Sequence, residues 1–403
     1  MENSKKLSYK SVVALGFLVY FFSYAMRLDF QASIVEIVPA LKITETMASA
    51  ALTGSTITYG VGQVICGIIG DKVSPTKMIS VAMLGTILVN ASVSFCSNIW
   101  LITVLWCING VCQAMIWPPL TRFISEQVGT EKYSNAVTVA GLSVSIGTIF
   151  VYLFVPVVLE YTIWRNVFRL MAALGIVMMV IWVYATRNVK MGKAVSVAKT
   201  KDNKNIPIFK FIIFAGLIPI FLAIALQGIL RDGIMAWLPS LVESEFKLGK
   251  SSSILSAAIL PVFSMICVLI ANALNNKIKH EVKTAAIMFG LSLVSTVPLL
   301  LGIKAPMVAI VCMALISASM HGVNHMLIAL IPKNFAKYGM VSTFSGILNA
   351  CTYIGASIAS TGFAMISGNS GWGSLYVIWF AVALLGTAIC ILKIKGWTKF
   401  LAK

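Results

Sequence analysis

Twelve apolar stretches, each long enough to cross a bilayer, follow one another along the chain at roughly 11–36, 47–70, 77–96, 100–122, 135–159, 164–186, 209–239, 252–275, 284–303, 306–331, 340–366 and 372–393. A membrane helix takes about 20 apolar residues, so the pattern predicts an all-α membrane protein with twelve transmembrane helices joined by short loops. Composition agrees: of 403 residues, 59% are apolar and 11% charged. A soluble domain carries about a quarter charged residues, so an ordinary cytosolic enzyme is excluded. Collagen, coiled coil and disordered tail are excluded with it.

The net charge of +18, from 31 Lys and Arg against 13 Asp and Glu, would suggest nucleic acid in a soluble protein. No basic stripe with interleaved aromatics occurs, and no nucleic-acid partner is expected. Membrane proteins concentrate Lys and Arg in cytoplasmic loops. With both termini cytoplasmic, the inner segments hold 23 of the cations and the outer loops 6, while Arg27 and Arg231 stay inside the membrane. An odd number of crossings would destroy that bias. Lys5, Lys6 and Lys10 precede an apolar run from Ser11 to Met26, but no small-residue cleavage site follows, so an uncleaved first helix is expected. The eight cysteines lie in apolar segments without ligand spacing and read as small buried side chains. Neither metal nor cofactor is expected.

The longest polar segment, Arg187 to Lys210, carries seven cations at the middle of the chain. Features on either side of it repeat. Arg27 with Asp29 is matched 204 residues later by Arg231 with Asp232, and Gly70-Asp71-Lys72-Val73 is matched at an offset of 205 by Asn275-Asn276-Lys277-Ile278. The reading is a pseudo-symmetric pair of six-helix halves, 1–186 and 209–403, tethered by a cytoplasmic linker at 187–208. Parallel repeats of this kind make transporters, with the solute site at mid-membrane between the halves. The linker obeys the orientation rule, and anionic-lipid binding is its minor alternative.

A charge near the bilayer centre costs about 2.5 to 3.5 kcal/mol even on lenient scales. Arg27 and Arg231 therefore need a use. Guanidinium keeps its proton, and its planar fork suits a carboxylate or phosphate. Two such forks on symmetry-related helices would converge on an anion. The competing reading is a structural ion pair with Asp29 or Asp232. Adjacent helical residues point about 100° apart and i,i+2 residues do not share a face, so poor pairing geometry is expected, and the acids are assigned instead to coupling or gating.

Gly67, Asp71 and Lys72, followed by Lys77, form the loop signature of the major facilitator superfamily, in which the glycine permits close helix approach and the charges latch helix ends. With further strings added, the chain resembles the organophosphate:phosphate antiporter branch of that superfamily, the bacterial glycerol-phosphate and hexose-phosphate transporters, over essentially its whole length. Those strings are Tyr20, Tyr24, Arg27 and Phe30 in the first crossing, Tyr59-Gly60 in the second, and Gly110-x-x-Gln113-x-x-x-Trp117-Pro118-Pro119 in the fourth. Leu230-Arg231-x-Gly233-Ile234-x-x-Trp237-x-Pro239 in the seventh and Tyr353-Ile354-Gly355 in the eleventh complete them.

The resemblance implies alternating access in which Arg27 and Arg231 grip a phosphate from opposite halves, and exchange of inorganic for organic phosphate. The chain departs from the family at three places: Gln63 stands in for a lysine, Leu28 for a basic residue and Val144 for a histidine. A monoanion, a carboxylate or a less highly charged phosphate ester is then compatible. His321, Asn324 and His325 are spaced to share one helix face in the tenth crossing, where imidazole could sense a phosphate's ionisation or carry a proton. Hydrogen bonding to neighbouring helices is the equal alternative. Trp117, Gln113, Gln227, Trp237 and Asn349 could orient the rest of the solute, and Pro118 with Pro119 would bend the fourth crossing.

The expected function is a secondary active transporter for a small anionic solute, an organophosphate taken in exchange for phosphate or with protons. The alternatives are a transporter-like receptor sensing a phosphate ester and a proton-coupled carboxylate transporter. An enzyme is not expected, since the crossings hold no nucleophile-base pair. A monomer in the bacterial inner membrane is expected, with the bilayer and the solute as its partners.

Overall fold

A computed structural model describes residues 6–189, 191, 208–246, 250–302 and 305–402; most of the basic linker lies outside these residues. Every regular element described is helical. The first, α1 (Tyr9–Leu41), starts where the Ser8 hydroxyl accepts from the Ser11 amide and stops at Lys42, which turns left-handed at φ 53°. Thr44 caps α2 (Glu45–Lys72) in the same way, with Glu45 in the first turn and Lys72 in the last, the charge placement that a helix dipole favours. Proline in its first turn opens α3 (Pro75–Val93), and Asn98 caps α4 (Ile99–Ala114).

The double proline acts as expected. The chain breaks at Met115–Ile116 and restarts as α5 (Trp117–Tyr161), with Pro118 and Pro119 in its first turn, where their missing N–H groups cost nothing. The last residues of the fourth expected crossing and the whole of the fifth fall in this long element. They are separated at Gly129, whose φ of 72° is non-helical. After α6 (Trp164–Thr186) come α7 (Ile208–Phe214) and α8 (Ile218–Phe246), parted by Gly216 at φ 59°. The elements α9 (Lys250–Ile278), α10 (Glu281–Leu300) and α11 (Pro306–Asn324) follow, and α11 runs on as a π-helical turn, His325–Leu330, and a 3-10 stretch, Ile331–Tyr338. The last two expected crossings fall within α12 (Val341–Leu401).

The chain forms two compact units, Met1–Asn203 with Pro332–Ile347, and Lys204–Ile331 with Leu348–Lys403. In the first, α1 packs on α5 and α6, α2 on α4, and α3 on α6. Its core joins Phe30, Val93, Ile102, Trp106 and Phe168, with the Phe30 ring 5.1 Å from Trp106 and edge-on to Phe168 at 6.3 Å. In the second, α11 packs on α8, α9 and α10. Apolar side chains are also displayed outward: Leu392 is 82% exposed, Val35 75% and Leu153 68%. Such a surface suits lipid rather than water.

Candidate functional site

In the first unit, Arg27 is half-buried on α1. Its guanidinium carbon lies 4.0 Å from the centroid of the Tyr59 ring on α2 and 5.7 Å from that of Tyr24, a cation–π arrangement that holds the charge without neutralising it. Tyr59 is 2% exposed, so its ring has a fixed seat. The Tyr20 ring stands 4.7 Å from Trp117 and 6.2 Å from Tyr24. The i, i+4, i+7 spacing of Tyr20, Tyr24 and Arg27 puts them on one face of α1, and the structure extends that face with Tyr59 and Trp117.

Gln113 is a tie between helices. The Ser23 hydroxyl donates to its Oε1 at 2.6 Å, and its Nε2 donates to the Ser23 carbonyl at 3.0 Å. Gln63 is different: it is fully buried, and neither its Oε1 nor its Nε2 has a hydrogen-bond partner.

In the second unit the expectation of poor pairing is corrected. Arg231 holds Asp232 in a bidentate fork, Nε to Oδ1 at 2.6 Å and Nη2 to Oδ2 at 2.8 Å. Neighbouring Cβ atoms do diverge on a helix, but the long Arg stem curls back far enough to bring its planar head onto the carboxylate. Asp29 is held otherwise. Its Oδ1 accepts from the Phe30 amide at 2.8 Å, while its Oδ2 is buried without a partner.

His321 is half-buried, with Nδ1 3.1 Å from Ser264 Oγ and 3.0 Å from the Ser317 carbonyl, and Ser317 Oγ donates to the Arg231 carbonyl at 3.4 Å. These bonds gather α8, α9 and α11 around Arg231. His325 is 4% exposed and opens the π-helical turn, so the shared α-helical face ends at Asn324. Thr352 Oγ donates to Gln227 Oε1 at 3.4 Å, and Tyr353 beside it is half-buried. Trp237 lies 6.4 Å from Trp372.

The motif at the end of α2 is engaged. Asp71 accepts from the amides of Ser342 and Thr343 at 2.9 and 2.7 Å, capping the start of α12. A Cβ on Gly67 would stand 2.8 Å from the Ser342 carbonyl and 3.2 Å from the Gly346 Cα, so only glycine permits this approach. Lys72 is exposed. Arg122, buried on α5, donates to the Gly70 and Val73 carbonyls at 2.8 and 3.1 Å and pairs with Glu126 at 2.6 Å. The sequence reading missed Arg122, although a cation three residues after Pro119 at the edge of an apolar run was a signal. It also missed Asn90 and Asn109, which donate to the Met26 carbonyl at 3.3 and 3.1 Å.

Comparison with known proteins fits this arrangement. Residues 13–360 match the Major Facilitator Superfamily. A probable hexose phosphate transport protein of Chlamydia trachomatis is 27% identical over 164 residues, 40% of this chain and 36% of that protein. The membrane sensor protein UhpC of Escherichia coli is 25% identical over 111 residues, 28% of this chain and 25% of UhpC. The matches thus span about a third or less of these relatives' lengths. Among solved structures, a proton:xylose symporter shares the fold with a TM-score of 0.70 at 13% identity, covering 96% of this chain and 94% of that one. A bacterial homologue of the iron transporter ferroportin gives 0.72 at 13% identity over 96% and 99%. The chain is therefore a multi-pass membrane protein that belongs to the Major Facilitator Superfamily and, within it, resembles the organophosphate:phosphate antiporter branch.

Proposed function

We propose that the chain is a secondary active transporter for a small anionic solute, an organophosphate carried in exchange for phosphate or together with protons. The observation that carries the reading is the pair of intramembrane arginines at equivalent places in the sequence repeat, Arg27 seated on the Tyr59 ring and Arg231 forked onto a carboxylate. A guanidinium that already holds two oxygens of a carboxylate has the fork geometry to hold two oxygens of a phosphate. Tyr20, Tyr24, Tyr59, Trp117 and Gln63 from the first half, and His321, His325 and Tyr353 from the second, serve the solute. Asp29 and Asp232 serve coupling, and Gly67, Asp71 and Lys72 serve gating. The halves 1–186 and 209–403 alternate about the linker at 187–208, as a monomer in the bacterial inner membrane with both termini cytoplasmic.

Similarity to a membrane sensor protein favours one second reading, a receptor that binds a phosphate ester without moving it. Counterflow in proteoliposomes separates the two. Labelled phosphate, glycerol phosphate, hexose phosphates and carboxylates are offered from outside to vesicles loaded with each in turn. Exchange of a phosphate ester is expected, with loss in Arg27→Lys and Arg231→Lys, because a point charge does not reproduce the fork. Binding without counterflow would establish the receptor, and carboxylate-only exchange the proton-coupled alternative. Wild-type exchange by both lysine variants would remove the reading.

A further inference from the structure

We propose that the first unit holds a monovalent cation, for which sodium is the probe, among Asp29 on α1, Asn90 on α3 and Asn109 on α4. Each of these side chains is fully buried, 0% exposed. Asp29 Oδ2, Asn90 Oδ1 and Asn109 Oδ1 all lack a hydrogen-bond partner, although buried polar atoms in proteins are almost always paired.

The three are brought together by the Met26 carbonyl. Asn90 Nδ2 and Asn109 Nδ2 both donate to it, at 3.3 and 3.1 Å, and Asn90 Nδ2 also reaches the Thr86 carbonyl at 3.0 Å. With their nitrogens pinned on one carbonyl oxygen, both amide oxygens are confined to the neighbourhood of that carbonyl, where they remain open as acceptors. Asp29 stands one helical turn beyond Met26, with Oδ1 tied to the Phe30 amide at 2.8 Å, which leaves Oδ2 to face the interior. Ser33, a further turn along α1, adds a buried hydroxyl that is likewise unpartnered.

The ligand's chemistry follows from what is missing. A buried carboxyl without an ion pair is neutralised either by a proton or by a bound cation, and among the described residues no ion pair to Asp29 is found. A proton on Oδ2 would satisfy the carboxyl and donate to one amide oxygen, leaving the other without a donor. A metal ion accepts several oxygens at once. The ligands are hard oxygens, which excludes the soft transition metals. One formal negative charge matches a monovalent ion, whereas calcium takes six to eight oxygens and magnesium a strict octahedron. None of the three is among the residues assigned to the solute, although Asp29 stands two residues from Arg27 on α1, and the occupation of the site does not depend on which solute is carried. A coupling role for the ion would rest on the transporter reading.

The test is thermal unfolding of the purified full-length protein in detergent, titrated with sodium chloride against choline and potassium chloride at equal ionic strength. The expected result is a saturable rise of several degrees in the midpoint with sodium alone, abolished in Asp29→Asn and reduced in Asn109→Leu. Wild-type protein needs no variant to fail the test: a midpoint indifferent to sodium across neutral and alkaline pH overturns the proposal, and stabilisation by acid alone assigns a proton instead. An unchanged sodium response in Asp29→Asn overturns it as well. Because the readout is binding, absence of transport leaves the result standing, and failure here leaves the solute reading standing.

Discussion

At the scale of single residues, the two arginines are restrained in different ways and should respond differently to mutation. The Arg231 fork is filled by Asp232 at 2.6 and 2.8 Å, so an incoming anion has to displace a covalently tethered rival. Asp232→Asn removes that rival's charge. Under the transporter reading, the half-saturation concentration for the anion should fall about tenfold, equivalent to about 1.4 kcal/mol. Counterflow kinetics check it, and an unchanged or raised value would show the carboxylate to be needed beside the solute. Arg27 is held by a ring 4.0 Å away, and a desolvated cation–π contact contributes about 2 kcal/mol. Tyr59→Phe keeps that ring and should retain near-normal affinity. Tyr59→Leu loses the ring and should weaken anion binding about 10- to 30-fold. Equal losses in both variants would transfer the role to the hydroxyl.

At the scale of elements, the junction of α2 with the start of α12 shows how a short motif does its structural work. Asp71 replaces the missing intrahelical partners of the first amides of α12, and the helix dipole favours its negative charge there. Capping losses amount to about 1 kcal/mol, so Asp71→Ala should lower the unfolding midpoint by a few degrees while the protein still inserts. Gly67→Val should do more, because its side chain would drive into the Ser342 carbonyl and Gly346. Fluorescence-detected size exclusion after graded heating would order the series as wild type, Asp71→Ala, Gly67→Val, and the reverse order would show that the close approach is dispensable. The sequence exposed this junction only in part. Gly67 and Asp71 stood out because glycine and an acid interrupt an apolar run, but their partners Ser342, Thr343 and Gly346 lie 271 or more residues away and carry no local mark. The same limit hid Asn90 and Asn109. A lone asparagine in a helix reads as a tolerated polar residue until the carbonyl it meets is known. Helix existence was legible from length and apolarity, and the bend at Pro118–Pro119 from backbone chemistry. The break within α5 was not, because only the φ of Gly129 marks it. The Arg231–Asp232 fork was misjudged because Cβ directions say little about the head of a long side chain.

For the whole molecule, charge placement predicts one orientation in the membrane. Twenty-three cations fall on the segments assigned to the inside and six on those assigned to the outside, and the rule that retains Lys and Arg on the cytoplasmic side acts on short loops such as these. Two of the six, Arg165 and Arg169, sit together at one end of the first unit. Arg165 donates to the Cys96 carbonyl and Ser97 Oγ at 3.1 and 2.9 Å and lies over Trp164, while Arg169 lies over Phe95. These two keep their charge but are held in place by a loop and by aromatic rings, the arrangement expected of interfacial anchors, and they are outnumbered by the inner majority. Reporter fusions give the check. A fluorescent protein at the C-terminus should fold and fluoresce in the cytoplasm. Alkaline phosphatase fused after Ser97 or Ile163 should be active outside, and after Lys132 or Arg187 inactive. Since every loop inverts together, a phosphatase signal after Arg187 would reverse the orientation of the whole chain, whereas a single discordant loop would instead revise the number of crossings before it. Neutralising Arg165 and Arg169 should leave the pattern unchanged, because the inner excess only grows; a flip on their removal would mean that these ring-bound anchors, rather than the cytoplasmic cations, set the orientation.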